Sequence, residues 1–137
     1  MRRKILAKFL NRPVNKIFKG DFGCNSFDDL TANYIVLTEE EANEEAKRHV
    51  WNFIHTFDTD FLIKHLGKQF TEERVFELLS RRCDNCLWVM AELMPDYDSF
   101  AQEAVTKYGR AYFICFSDKT EYKMEYNGQY YFIYCMV

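Results

Sequence analysis

The sequence predicts an α+β fold: several helices packed on a small antiparallel sheet formed by a C-terminal three-stranded meander. Three observations predict it. From Arg110 to Val137, short apolar or alternating runs are punctuated by turn residues, as in consecutive strands. Thr38-Glu39-Glu40-Glu41 is a capping box at the head of a pattern with helical spacing. Residues 59–108 carry further helical patterns with caps and terminators at their ends. At 137 residues the chain can bury most of the surface its unfolded form exposes, so one domain spanning 1–137 is expected. Aromatics make up 18% of it, with 13 Phe and 9 Tyr, which implies a core built largely from rings.

Taken in order, Ile5, Leu6, Phe9 and Leu10 share one side of a helix and Arg2, Arg3, Lys4 and Lys8 lie largely elsewhere. A short amphipathic N-terminal helix follows, ended by Arg12-Pro13. Val14 to Asp29 is irregular and reads as a loop, with turn residues around Cys24. Tyr34-Ile35-Val36-Leu37 is a short β-branched and aromatic run, expected to add a strand to the C-terminal sheet. The capping box then starts a helix whose apolar positions Ala42, Ala46, Val50, Phe53, Ile54 and Phe57 carry it to about Phe57. Its glutamates crowd the end that the helix dipole favours for negative charge.

Asp58 or Thr59 caps a short helix bearing Phe61, Leu62 and Leu66, with Gly67 as terminator. Thr71 caps the next, whose stripe Val75, Leu79, Cys83, Cys86, Met90 and Leu93 is either one continuous helix or two broken at Asp84-Asn85. Pro95 stops it. Asp96 caps a helix through Tyr108, closed by Gly109. Ala111 to Phe116 has strand length and strand composition, Glu121 to Tyr126 alternates, and Asn127-Gly128 fits a type I′ turn leading into Gln129 to Tyr134.

Charge narrows the partner classes only slightly. The net charge is −3, but the first 20 residues carry +7 and the other 117 carry −10. The basic stretch reads either as a solvated helix or as an arm for phosphate or an acidic surface. No apolar run approaches the ~20 residues needed to cross a bilayer, and the start lacks a signal-peptide pattern, so no membrane role and a cytoplasmic location are expected. Without an export signal, five cysteines read as thiols or metal ligands rather than a disulfide framework.

Cys83-x2-Cys86 has zinc-ligand spacing, since two thiolates three residues apart can grip one ion. Both also sit on an apolar stripe, where free cysteine packs well, so core packing is the competing reading. A complete site needs two more donors. Cys24, in a glycine-flanked loop, is the third candidate and His65 the fourth. No histidine is marked by its surroundings in sequence as a base for a cysteine nucleophile, and no acid, base and nucleophile can be assigned together, so a binding protein rather than an enzyme is expected.

The segments Leu37-Thr38-Glu39-Glu40-Glu41-Ala42, Phe57-Asp58-Thr59-Asp60-Phe61 with His65, Cys83-Asp84-Asn85, Tyr108-Gly109-Arg110-Ala111-Tyr112-Phe113 and Tyr130-Tyr131-Phe132-Ile133-Tyr134, in this order, resemble a group of small proteins encoded by bacteriophages and other mobile elements. The chain departs from the group at Ala111, where a glycine is expected, and at Cys135, where a basic residue is. Cys86 lies outside the shared pattern, so the resemblance does not itself imply zinc. Within that group the chain looks like a type II anti-CRISPR protein. The resemblance implies a phage inhibitor that binds the host's type II RNA-guided DNA nuclease, a partner whose positively charged channel suits an acidic body. The alternative is a zinc-stabilised phage accessory protein that contacts nucleic acid through its basic N-terminal arm.

Overall fold

One antiparallel sheet orders the first and last parts of the chain. Its strands are β1 (Phe18–Lys19), β2 (Ser26–Asp28), β3 (Asn33–Thr38), β4 (Glu121–Tyr126) and β5 (Gln129–Cys135), arranged β1-β2-β3-β5-β4. The computed structural model describes residues 1–67, 70–80, 90–115 and 118–136. Helices α1 (Arg2–Leu10), α2 (Glu39–His49), α3 (Thr59–Leu66), α4 (Glu72–Ser80), α5 (Tyr97–Tyr108) and α6 (Arg110–Ile114) complete the principal elements, so the class is α+β as the sequence predicts. None of the described helices is long and apolar enough to cross a membrane.

The chain packs as two compact units, 1–46 with 110–137, and 47–109. In the first, β5 lies between β3 and the edge strand β4. Val36 pairs with Ile133 and Leu37 with Phe132 across β3–β5, while Met124 pairs with Tyr131 across β4–β5. Because side chains alternate, Val36, Tyr131 and Ile133 point to one face and meet Ile5, Leu6 and Ala7 of α1 together with Ile17. Phe132 and Tyr134 point to the other face, yet are also buried. A strand covered on both sides reads as continuous apolar sequence, as Tyr131 to Tyr134 does. The turn into β3 is fixed by Asp29, 3% exposed, whose Oδ1 accepts from the amides of Thr31 and Ala32 at 2.9 Å each.

Several local expectations hold. α1 ends at Asn11 in a left-handed conformation, just ahead of Pro13. The Thr38 capping box forms in both directions, the Thr38 amide donating to Glu41 Oε1 at 3.0 Å and the Glu41 amide to Thr38 Oγ1 at 3.3 Å. Thr71 accepts from the Arg74 amide and Asp96 from the Ser99 amide, and α3 and α5 stop at Gly67 and Gly109. Asn127 and Gly128 both have positive φ, 51° and 78°, as the type I′ turn requires.

Three expectations are corrected. Ala111 to Phe116 is not the first strand of the meander, because residues 110–114 are helical. A six-residue apolar run carries no period that separates a strand from a buried helix, and the meander is completed by β3, which pairs with β5 rather than with β4. Val14 to Asp29 is not all loop: it holds a 3-10 turn at Val14–Lys16 and the strands β1 and β2, each too short to show alternation. The helix begun at Glu39 tightens to a 3-10 helix over Val50–Thr56, although Ala42, Ala46, Val50 and Ile54 keep their buried stripe.

The second unit is organised by rings. Phe57 stacks on Tyr108 at 4.9 Å and meets Phe61 and Phe100 edge-on at 5.7 and 5.8 Å. Lys107 lies over Phe61 and pairs with Asp58 at 3.1 Å. Of the predicted α4 stripe, Val75 and Met90 are fully buried while Leu93 is 44% exposed. Its continuity through Cys83 and Cys86 lies outside the described residues.

Candidate functional site

The first turn of α2 is where structure and charge converge. β3 delivers Thr38 to the helix start, and the capping box turns Glu41 inward, where Arg2 of α1 meets its Oε1 at 2.8 Å. Arg2 also donates to the Val36 carbonyl at 2.9 Å, and Asn25 Nδ2 donates to Glu41 Oε2 at 3.3 Å. Burial alone would raise the Glu41 pKa. The hydrogen bond from Arg2, followed by those with Thr38 and the Arg2 charge, outweighs it and holds the group at about 2.

This latch has a pH signature. A carboxylate depressed in the folded state stabilises fully above its unfolded value of 4.5, and the contribution is lost as pH falls toward about 2. Glu41 is about a third exposed, so solvent screening reduces the worth of the shift to about 1–2 kcal/mol. Glu41→Gln is therefore expected to cost that amount at pH 7 and almost nothing at pH 2. Urea unfolding at the two pH values measures the difference.

On the opposite sheet face stands a second network. Arg110 forks onto Glu121, Nε to Oε1 at 2.8 Å and Nη2 to Oε2 at 3.1 Å, while Nη1 donates to Asn43 Oδ1 at 3.2 Å. Its guanidinium lies 4.4 Å from the Phe132 ring centroid, and the Tyr134 hydroxyl donates to the same Glu121 Oε1. Burial first, then that hydrogen bond, pushes the Tyr134 pKa up, so it remains a donor. Glu39 and Glu40 stand exposed on the first turn of α2, and Arg110 reaches Glu39 at 3.8 Å.

The proposed zinc ligands fare differently from one another. Cys24 is an exposed thiol in the first unit, beside a cleft of about 780 Å³ lined by Arg3, Lys19 and Asp21. His65 is in the second unit, its side chain 10% exposed and flanked by Phe61 and Phe100 at 5.3 and 5.2 Å. Its Nε2 lies 3.0 Å from Glu103 Oε2. That bond, then the one from Lys64, holds the Glu103 carboxyl below its usual range. Cys83 and Cys86 lie outside the described residues. Among the described residues no three His, Cys, Asp or Glu gather as a metal site would require.

Cys115 offers no nucleophile near neutral pH. Cys115, expected on a strand, follows α6 instead and is 1% exposed; burial, then the Asp118 charge, pushes its pKa up to about 12. Cys135 lies at the end of β5.

The basic N-terminal segment is the predicted helix, not an extended arm. Arg2 is engaged internally, while Arg3, Lys4 and Lys8 are exposed. The sequence polarity is largely folded away, since the first unit contains ten basic and eleven acidic residues and the second eight and ten. Comparison with protein-family models, curated proteins and solved structures returned no match.

Proposed function

We propose that the protein is a phage-encoded inhibitor that acts in the host cytoplasm by binding the type II RNA-guided DNA nuclease, with no catalytic chemistry of its own. The reading is supported by the ordered resemblance from Leu37 onward. The structural observation that carries it is the placement of α2, whose Glu39 and Glu40 stand exposed on its first turn. An acidic edge of this kind is complementary to a channel built to hold a nucleic-acid backbone. The expected result is co-purification with such a nuclease. Glu39→Lys with Glu40→Lys is expected to weaken the complex at least about tenfold, with greater loss at low salt.

The competing reading, nucleic-acid contact through α1, has its own observation in exposed Arg3, Lys4 and Lys8. It predicts salt-dependent binding to bare DNA that is lost when those three become Ala. Arg2 must be left in place, because removing it also opens the Glu41 latch.

A structural zinc ion held by Cys83 and Cys86 is part of the proposal and rests on the cysteine spacing. Elemental analysis is expected to find about one zinc per chain, lowered in Cys83→Ser and in Cys86→Ser, with chelation lowering the unfolding temperature. Protein purified without chelators and lacking zinc would return both cysteines to core packing.

A further inference from the structure

Among the described residues no strand pairs with the outer edge of β4, although it is six residues long. Tyr126 and Gln129 flank the two-residue Asn127-Gly128 turn, which makes them a hydrogen-bonded pair. Alternation then makes Met124 with Tyr131, and Tyr122 with Ile133, hydrogen-bonded pairs too. Glu121, Lys123 and Glu125 consequently turn their backbone N–H and C=O groups away from β5, toward whatever lies beyond the edge.

The side chains on this edge are sorted by sign and polarity. Met124 and Tyr126 pack against the α1 core cluster and Phe9 lies 5.2 Å from Tyr122, so these three share the α1 face. Lys123 and Glu125 occupy the other face, where the Lys123 ammonium sits 4.0 Å from the Tyr130 ring centroid. Tyr122 is 37% and Tyr130 49% exposed.

We propose that the protein associates with a second copy of itself, β4 against β4, antiparallel about a two-fold axis at Met124, so that the sheet continues from one copy into the next. At this register Lys123 faces Glu125 of the second copy and Glu125 faces Lys123 of the second copy. Tyr122 and Tyr126 meet across the apolar face, and the two Met124 side chains meet at the axis. The outward-turned backbone groups of 123 and 125 are then in mutual hydrogen-bonding position.

Slipping the pairing one hydrogen-bonded step in one direction sets Lys123 on Lys123 and Glu121 on Glu125. Slipping it in the other sets Glu125 on Glu125. Shifting by a single residue places outward-turned groups against inward-turned ones and apolar side chains on the charged face. Edge strands are commonly guarded by charges that repel indiscriminate pairing. Here the same charges permit one partner at one register, which is how specificity is built from repulsion as well as attraction.

Sedimentation equilibrium of the full chain across the micromolar range tests this. The parent is expected to show a monomer–dimer equilibrium that weakens as salt rises. Glu125→Lys, at an exposed position, replaces two attractive cross-copy pairs by repulsive ones and is expected to weaken the dimer at least about tenfold. Lys123→Glu is expected to do the same, and the double exchange Lys123→Glu with Glu125→Lys to restore it. Thermal unfolding of each variant establishes that it is folded; if one single variant does not fold, the other and the double exchange decide. A parent that stays monomeric throughout overturns the proposal, as does a dimer that folded single variants leave intact or that the folded double exchange fails to restore.

Discussion

Arg110→Ala is expected to lower stability by about 2–3 kcal/mol, the midpoint of thermal unfolding falling by roughly 5–12 °C. The Arg110 side chain is 15% exposed and Glu121 30%, so the pair is partly desolvated and truncation leaves a half-buried carboxylate without its cation. Three further contacts go with it: the bond to Asn43, the approach to Glu39 and the guanidinium over Phe132. Arg110→Lys restores the charge but not the fork, so it is expected to recover only part of the loss. Because the network lies in the first unit, the effect belongs to that unit's transition where calorimetry separates two. An alanine variant as stable as the parent would mean that the fork contributes nothing.

Gly20→Ala is expected to cost about 2–3 kcal/mol, and a larger side chain more. A Cβ at this position would lie 2.3 Å from Ser26 Oγ, 2.7 Å from the Phe27 amide nitrogen and 2.8 Å from the Ser26 carbonyl carbon. The hydroxyl can rotate; the backbone atoms cannot move without breaking the Gly20 amide's 2.9 Å bond to the Ser26 carbonyl. Ser26→Ala alone removes a buried hydroxyl that has no hydrogen-bond partner, so it is expected to be neutral or stabilising. Combined with Gly20→Ala it should relieve little, since the backbone collisions remain. Urea unfolding of the three variants separates these contributions, and full rescue by Ser26→Ala would contradict the backbone explanation.

What was legible in the sequence was local. Thr38 and Glu41 lie three residues apart, and their capping box forms as the spacing implies. The Asn127-Gly128 turn likewise needs only its own two residues and their flanks. Ala111 to Ile114 was not legible, because a short apolar run has no period that separates a strand from a buried helix, and the third strand of the meander is β3, which pairs with β5 from far away in sequence. The Arg2–Glu41 latch and the Arg110 contact with Asn43 span 39 and 67 positions, and no motif links them.

The same distinction governs the candidate sites. Cys24 and His65 were chosen as metal donors by residue type and loop character, whereas His65 is engaged by Glu103, 38 positions away. The acidic run at Glu39 to Glu45 was visible from the start. Its division into Glu41, which faces inward, and Glu39 and Glu40, which face outward, follows from the capping geometry and the position of Arg2. A signal for that division existed in the capping box itself, since its Glu must turn back toward the helix start.

Titrating the purified protein into a target-cleavage reaction of a type II RNA-guided nuclease is the most direct test of the proposed activity. The account predicts that cleavage falls as the protein approaches the nuclease concentration, and that Glu39→Lys with Glu40→Lys shifts the titration to higher concentration in a variant that stays folded, its unfolding temperature lowered somewhat by the charge reversal at the helix start. Undiminished cleavage by a panel of such nucleases at a large excess of folded protein would contradict it.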